Sequence, residues 1–228
     1  MIRIAQLLNR RLTFRQAVMV VVVTAAFGGA GYAGYRLVSA RVLQRQVNAA
    51  FPLVCAAVRE QRSAVIRAIE DYRTHFGFYP PDNIVTRQPL VVNAVTNSLL
   101  YEIAGVSYNP QKQVFEVGGL EPAGATYVKR FLHTTGFVNC VSSPGQAKRF
   151  FALDNLPVRM VHDDPDVFVV GFQVSQVKIP VDVTWEIQAS SWRYVSSAPE
   201  HNPGKFDLWI EVTTKARRQV IGNWKQVE

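Results

Sequence analysis

Leu53–Pro81 reads LVCAAVREQRSAVIRAIEDYRTHFGFYPP, and its spacing sets the frame for the rest of the chain. Val54, Val58, Val65, Ile69, Tyr72 and Phe76 recur at helical intervals on one face. Arg59, Arg62, Arg67, Glu70 and Arg73 fall largely on the other. This is the pattern of an amphipathic helix with one buried stripe. Gly77 and the run Tyr79-Pro80-Pro81-Asp82 end it, because glycine caps a helix and proline cannot continue one. Upstream, Leu37–Phe51 is helix-compatible and basic, and Pro52 either kinks a long helix or opens a new one.

Further upstream, Ala17–Tyr35 reads AVMVVVVTAAFGGAGYAGY, 19 residues without a charge, bracketed by Arg15 and Arg36. That approaches the roughly 20 residues a bilayer-crossing helix needs, and Tyr32 and Tyr35 suit an interfacial belt. The expectation is an uncleaved transmembrane anchor. The rival is a signal peptide cut near Gly31-Tyr32-Ala33, but the apolar run is longer than the usual 7–15 residues of such a leader. Two stripes of small residues, Ala25, Gly29, Ala33 and Ala26, Ala30, Gly34, are candidates for close helix packing in lipid; glycine is also common in membrane helices without that role.

Charge fits this organisation. The 228 residues carry a net charge of +8. Residues 1–59 hold eight arginines (Arg3, Arg10, Arg11, Arg15, Arg36, Arg41, Arg45, Arg59) with no lysine and no acid, whereas 60–228 balance 17 basic against 17 acidic residues. The excess surrounds the apolar run, which suits anionic lipid and argues against a nucleic-acid surface. Hydrophobic residues at 48% and charged residues at 18% exclude a chain disordered by composition. Cys55 and Cys140 are a possible disulfide in an exported domain; two unpaired buried thiols are the other reading.

Downstream, the helix signal at Pro89–Ala104 gives way to strand signals. Val114–Val117, Asp166–Val174 and Val181–Gln188 read as strands, and Thr126–His133 as a helix. Trp192–Val195 and Phe206–Thr214 read as a pair of strands, with Arg218–Trp224 as the last. The expected class is α+β.

These residues carry a resemblance. Ala68-Ile69-Glu70-Asp71-Tyr72, followed by Phe76-Gly77-Phe78-Tyr79-Pro80-Pro81, resembles the end of the long helix in type II secretion major pseudopilins and type IV pilin-like (prepilin-like) proteins. Trp192–Ser197, His201-Asn202-Pro203-Gly204 and Phe206-Asp207-Leu208-Trp209 are similar to that family's C-terminal hairpin, and Ile221-Gly222-Asn223-Trp224 to the ending of related proteins. The family-motif residues are thus Tyr72, Gly77, Tyr79, Pro80, Asp207, Leu208, Trp209 and Trp224. The resemblance implies a transmembrane helix continuing into a long amphipathic helix packed on a small antiparallel sheet. Its divisions would be a basic cytoplasmic arm at 1–16, the span at 17–35, a helical spine at 36–76, and a head at 77–228 with an insertion at about 105–180. It further implies a single-pass subunit of the inner membrane, its N-terminus inside and its head periplasmic, whose partners are the lipid bilayer and other pilin-like or secretion-machine subunits. An anchored module that binds a ligand outside the cytoplasm is the alternative.

The chain departs from the family in two places. Arg11-Leu12-Thr13-Phe14-Arg15-Gln16 stands where processed prepilins have a glycine and a following glutamate. Where major pseudopilins hold calcium, the loop here is Thr213-Thr214-Lys215-Ala216-Arg217-Arg218, and a hard cation needs about 6–8 oxygens with negative charge among them. No calcium, metal or other cofactor is expected. His75, His133, His162 and His201 are scattered, and no HExxH, CxxC, G-x-S-x-G or P-loop occurs. No enzymatic site is expected either. His162-Asp163-Asp164-Pro165-Asp166 reads as a solvated turn, and the aromatic set Trp185, Trp192, Tyr194, Trp209, Trp224 as packing, with a partner surface as the second reading of each.

Overall fold

Helix α1 runs without a break from Phe14 to Phe76. The computed structural model describes residues 14–143, 145–152, 158–160 and 167–225, with the side chains of 14–34 and 158–160 outside the description. Two compact units divide the chain, Met1–Asn48 and Ala49–Glu228. Pro52 lies inside α1 and does not end it. Arg73 carbonyl oxygen accepts the Gly77 N–H at 2.7 Å, and Gly77 has φ +85°, a left-handed cap that favours glycine.

The chain is α+β, with four helices and small sheets among the described residues. The expected membrane crossing is corrected. No helix among the described residues is long and apolar enough to cross a membrane. Between Tyr35 and Phe76 the longest charge-free run is Gln46–Val58, well short of the roughly 20 residues a span requires. The stripes Ala25, Gly29, Ala33 and Ala26, Ala30, Gly34 have helical backbone, but their side chains lie outside the described ones.

In the first unit Tyr35, Leu37, Val38 and Val42 are exposed. In the second, Phe51, Val54, Cys55, Val58, Val65, Ala68, Ile69 and Tyr72 are buried, which covers the stripe the sequence spacing defines except Phe76, which is half-exposed. Such side chains contribute roughly 1.5–3 kcal/mol each when fully buried. After α1 come a hairpin of β1 (Ile84–Arg87) and β2 (Leu90–Val92), then helix α2 (Leu99–Ala104). The helix expected over Pro89–Ala104 is therefore a strand followed by a short helix. Strands β3 (Val106–Asn109), β4 (Val114–Glu116), β5 (Ala123–Gly124) and β6 (Cys140–Val141) form a sheet in the order β5-β4-β3-β6, with β3 parallel to β6 and the other pairs antiparallel. Helix α3 (Ala125–Leu132) follows β5, close to where the sequence places it. Strands β7 (Val158–Met160) and β8 (Phe168–Val170) pair antiparallel.

Val181–Gln188, expected as a strand, is helix α4 (Val181–Thr184) running toward β9 (Gln188–Ala189). The Pro180 carbonyl accepts the N–H groups of Val183 and Thr184 at 3.0 and 3.3 Å, so the proline starts a helical turn that overrides the β-branched composition. The last sheet has β10 (Arg193–Val195), β11 (Asp207–Thr213) and β12 (Arg218–Gly222) in that order, antiparallel, with β9 on the far end of β11. Along β11, Leu208, Ile210 and Val212 are buried while Trp209, Glu211 and Thr213 are half-exposed. That alternation gives the sheet one inner and one outer face.

Candidate functional site

Three bonds tie the covered part of α1 to the C-terminal strands. Arg62 Nη1 donates to the Gly222 carbonyl at 2.6 Å, Cys55 Sγ to Gln219 Oε1 at 3.1 Å, and Trp192 Nε1 to Gln61 Oε1 at 2.8 Å. Cys55 and Cys140 are free thiols. Burial pushes the Cys55 thiol up against the opposing charge of Arg59, so it is a packed group rather than a reactive one.

The two motif stretches meet at the end of α1. The Pro80 carbonyl accepts Tyr194 OH at 2.8 Å and Ser196 Oγ at 2.9 Å. The Tyr79 ring stands edge-on to Phe206, centroids 5.1 Å apart, and the Arg73 guanidinium lies over Tyr79 at 4.7 Å. Asp82 Oδ2 accepts the N–H groups of Ser196 and Ser197, each at 2.8 Å. Tyr72, wholly buried, donates its hydroxyl to Glu102 Oε2 at 2.9 Å. Tyr72 thus joins α1 to α2, Pro80 joins its terminus to β10, Tyr79 meets Phe206 just before β11, and Gly77 supplies the cap that turns the chain.

Asp207, Leu208, Trp209 and Trp224 build the other end. Asp207 Oδ2 accepts the backbone N–H groups of Glu200 and His201 at 2.8 Å each, and Oδ1 accepts Asn202 N at 3.0 Å and Asn202 Nδ2 at 2.9 Å. His201 Nδ1 lies 3.2 Å from Oδ2. Burial works to raise this carboxyl, but the donors of His201, Asn202 and Glu200 together hold it below its ordinary range. Its oxygens are occupied by protein donors. Asn223 extends the lock by accepting Leu208 N at 3.0 Å and donating to the Phe206 carbonyl at 2.9 Å. His201 stacks on Trp224 at 3.9 Å, and Trp224 meets Trp209 edge-on at 5.8 Å.

On the outer face, Glu211 takes Arg193 and Arg218 together, with Arg218 Nη2 at 2.8 Å. The Arg218 hydrogen bond is the main reason the Glu211 carboxyl falls below its usual range. The Thr213–Arg218 loop closes on itself: Thr214 Oγ1 accepts Ala216 N at 3.2 Å and Arg217 N at 3.0 Å. Among the described residues no group of three or more His, Cys, Asp or Glu is placed to hold a metal ion. Trp192 and Tyr194 are core residues, whereas Trp185 is 78% exposed beside the exposed Val181. The carboxylate cluster at 162–166 lies outside the described residues.

Sequence reading missed Glu102, only 1% exposed. Its oxygens take Tyr72 OH, Val138 N at 2.9 Å and Asn139 N at 3.0 Å. Asn139 Nδ2 returns to the Glu102 carbonyl at 2.7 Å. The available signal was a lone acid inside the apolar run LLYEIAGV, since a carboxylate in a buried stretch needs its own donors.

No protein-family model, curated protein or solved structure matches this chain.

Proposed function

We propose that the chain is a structural subunit, resembling a pseudopilin of a type II secretion or type IV pilus-like machine, that acts by contact and not by chemistry. The observation that carries this reading is a change along one uninterrupted helix. The stripe Phe51, Val54, Val58, Val65, Ile69 and Tyr72 is buried, whereas Tyr35, Leu37, Val38 and Val42 are exposed. Exposed apolar side chains at helical spacing are the usual mark of an interaction surface. The meeting of Tyr79 with Phe206 and of Pro80 with Tyr194 supports the same reading, because these contacts join the two stretches that carry the resemblance. A head outside the cytoplasm, other subunits of such a machine as partners, and the absence of enzymatic activity belong to the same proposal.

The test is photo-crosslinking in cells from a probe residue at Val38 or Val42, with Arg67 on the covered segment as control. Adducts to further copies or to secretion-machine subunits, formed from Val38 and Val42 but not from Arg67, are the expected result. Monomer alone from both positions overturns the reading.

A further inference from the structure

The inserted sheet β5-β4-β3-β6 plays no part in the proposal above, yet it borders a cavity of about 300 Å³. That is the lower end of the range for small-molecule sites. Val106, Val117 and Leu120 give it an apolar lining, and Glu116 and Arg149 are its two charged groups. Among the described residues neither makes an ion pair, with the other or with anything else. Two opposite charges facing one cavity and left apart are complementary to a ligand bearing both.

The backbone around the cavity is shaped for this. Gly118 is the residue over which the Arg149 guanidinium lies: a Cβ there would stand 2.6 Å from Arg149 Nη2. Gly105, with φ +74°, packs where a Cβ would come within 2.8 Å of both Ala147 Cβ and the Lys148 carbonyl, so it closes the stretch carrying Arg149 onto the start of β3. Glu116 is held in β4 opposite Ser107 of β3, and paired residues of an antiparallel ladder project to the same face. The carboxylate is therefore set by a strand and the guanidinium by a glycine shelf.

We infer that this cavity binds a small zwitterion of the free α-amino acid type, with Arg149 taking the carboxylate and Glu116 the ammonium. A guanidinium fork matches a carboxylate in two parallel hydrogen bonds, and the limited volume favours small side chains. The site is independent of subunit assembly, so either proposal can fail without the other.

Saturation-transfer NMR and calorimetric titration of the full chain with glycine, L-alanine and L-serine test it, with acetate and methylammonium as half-ligands. Expected is saturable binding of at least one amino acid and much weaker binding of both half-ligands. Arg149→Gln and Glu116→Gln should each weaken it by about tenfold or more, the scale of losing a charged hydrogen-bond pair. Gly118→Ala, which keeps both charges but displaces the guanidinium, should weaken it too. Absence of binding by all three amino acids, acetate binding as well as they do, or affinity unchanged in Arg149→Gln overturns the inference.

Discussion

Glu102 and Asp207 are both carboxylates taken out of water, 1% and 3% exposed, and both face backbone N–H groups. Their carboxyls nevertheless move in opposite directions, Glu102 up and Asp207 down. The difference lies in where the donors come from. Asp207 is ringed by Glu200, His201 and Asn202 of its own loop, so one short turn supplies a preformed nest for the anion. Glu102 has two backbone donors, Val138 and Asn139, and the Tyr72 hydroxyl from α1. Burial outweighs those three contacts and raises it. The same side-chain chemistry thus closes a local turn at one site and joins three remote segments at the other.

The strongest way to break this comparison is to remove Glu102. Glu102→Ala leaves the Tyr72 hydroxyl and the N–H groups of Val138 and Asn139 buried without an acceptor. A loss of about 3–5 kcal/mol in unfolding free energy follows at mildly acidic pH, measured by urea titration. Glu102→Gln should lose less, because one oxygen remains to accept, even though the new amide turns a donor toward a donor. A Glu102→Ala loss below about 1 kcal/mol would show that water reaches these groups and that the latch is not structural.

Asp207 sharpens the contrast through pH. Asp207→Asn places an amide among N–H donors and should cost about 1–3 kcal/mol at neutral pH. Because the folded Asp207 carboxyl lies below its ordinary range, its contribution is complete above that range and is lost as pH falls through the folded value. The gap between wild type and Asp207→Asn therefore narrows on acidification. For Glu102 the sign reverses. Its folded carboxyl lies above the ordinary range, so the native state loses stability as pH rises from that range through the folded value. The gap between wild type and Glu102→Ala is then widest in acid and narrows toward neutrality. Denaturation at a series of pH values reads both slopes, and parallel slopes refute the contrast.

What the sequence discloses follows the same division between local and remote. The α1 stripe from Val54 to Tyr72 was legible because its period repeats over many turns, and β11 because Leu208, Ile210 and Val212 alternate with Trp209, Glu211 and Thr213. Val92, Val95 and Leu99 lie at spacings that fit a helix, and this hid the β1–β2 hairpin; short apolar runs do not separate the two periods. In α4 a helical turn closed on the Pro180 carbonyl stands where β-branched residues suggested a strand. The expected membrane helix at 17–35 falls almost wholly on residues whose side chains lie outside the described ones, and among the described residues no helix is long and apolar enough to cross a membrane. The Asp207 nest was half legible, as its donors sit within seven positions of it. Glu102 was not, since Val138 and Asn139 stand 36 and 37 residues away, and no local pattern announces a partner at that distance. The Glu116–Arg149 cavity was hidden for the same reason.

Glu211 supplies a third carboxylate, on the outer face, and the smallest effect. Its two partners differ in exposure: the Arg193 side chain is 28% accessible and that of Arg218 66%. Exposed pairs couple weakly because water screens them and two long side chains must be ordered, typically by about 0.2–1 kcal/mol. Double-mutant cycles of Glu211→Gln with Arg218→Gln and with Arg193→Gln separate the two contacts. Coupling to Arg218 should stay near the low end of that range and fade in about 1 M salt, where the screening length is about 3 Å. Although the Arg218 hydrogen bond does most to lower the Glu211 carboxyl, coupling to Arg193 should be larger and persist, since its less accessible guanidinium is screened less by water and salt. Were both couplings to vanish together in salt, exposure would not rank the outer-face contacts, and the graded series from Glu102 through Asp207 to Glu211 would lose its last member.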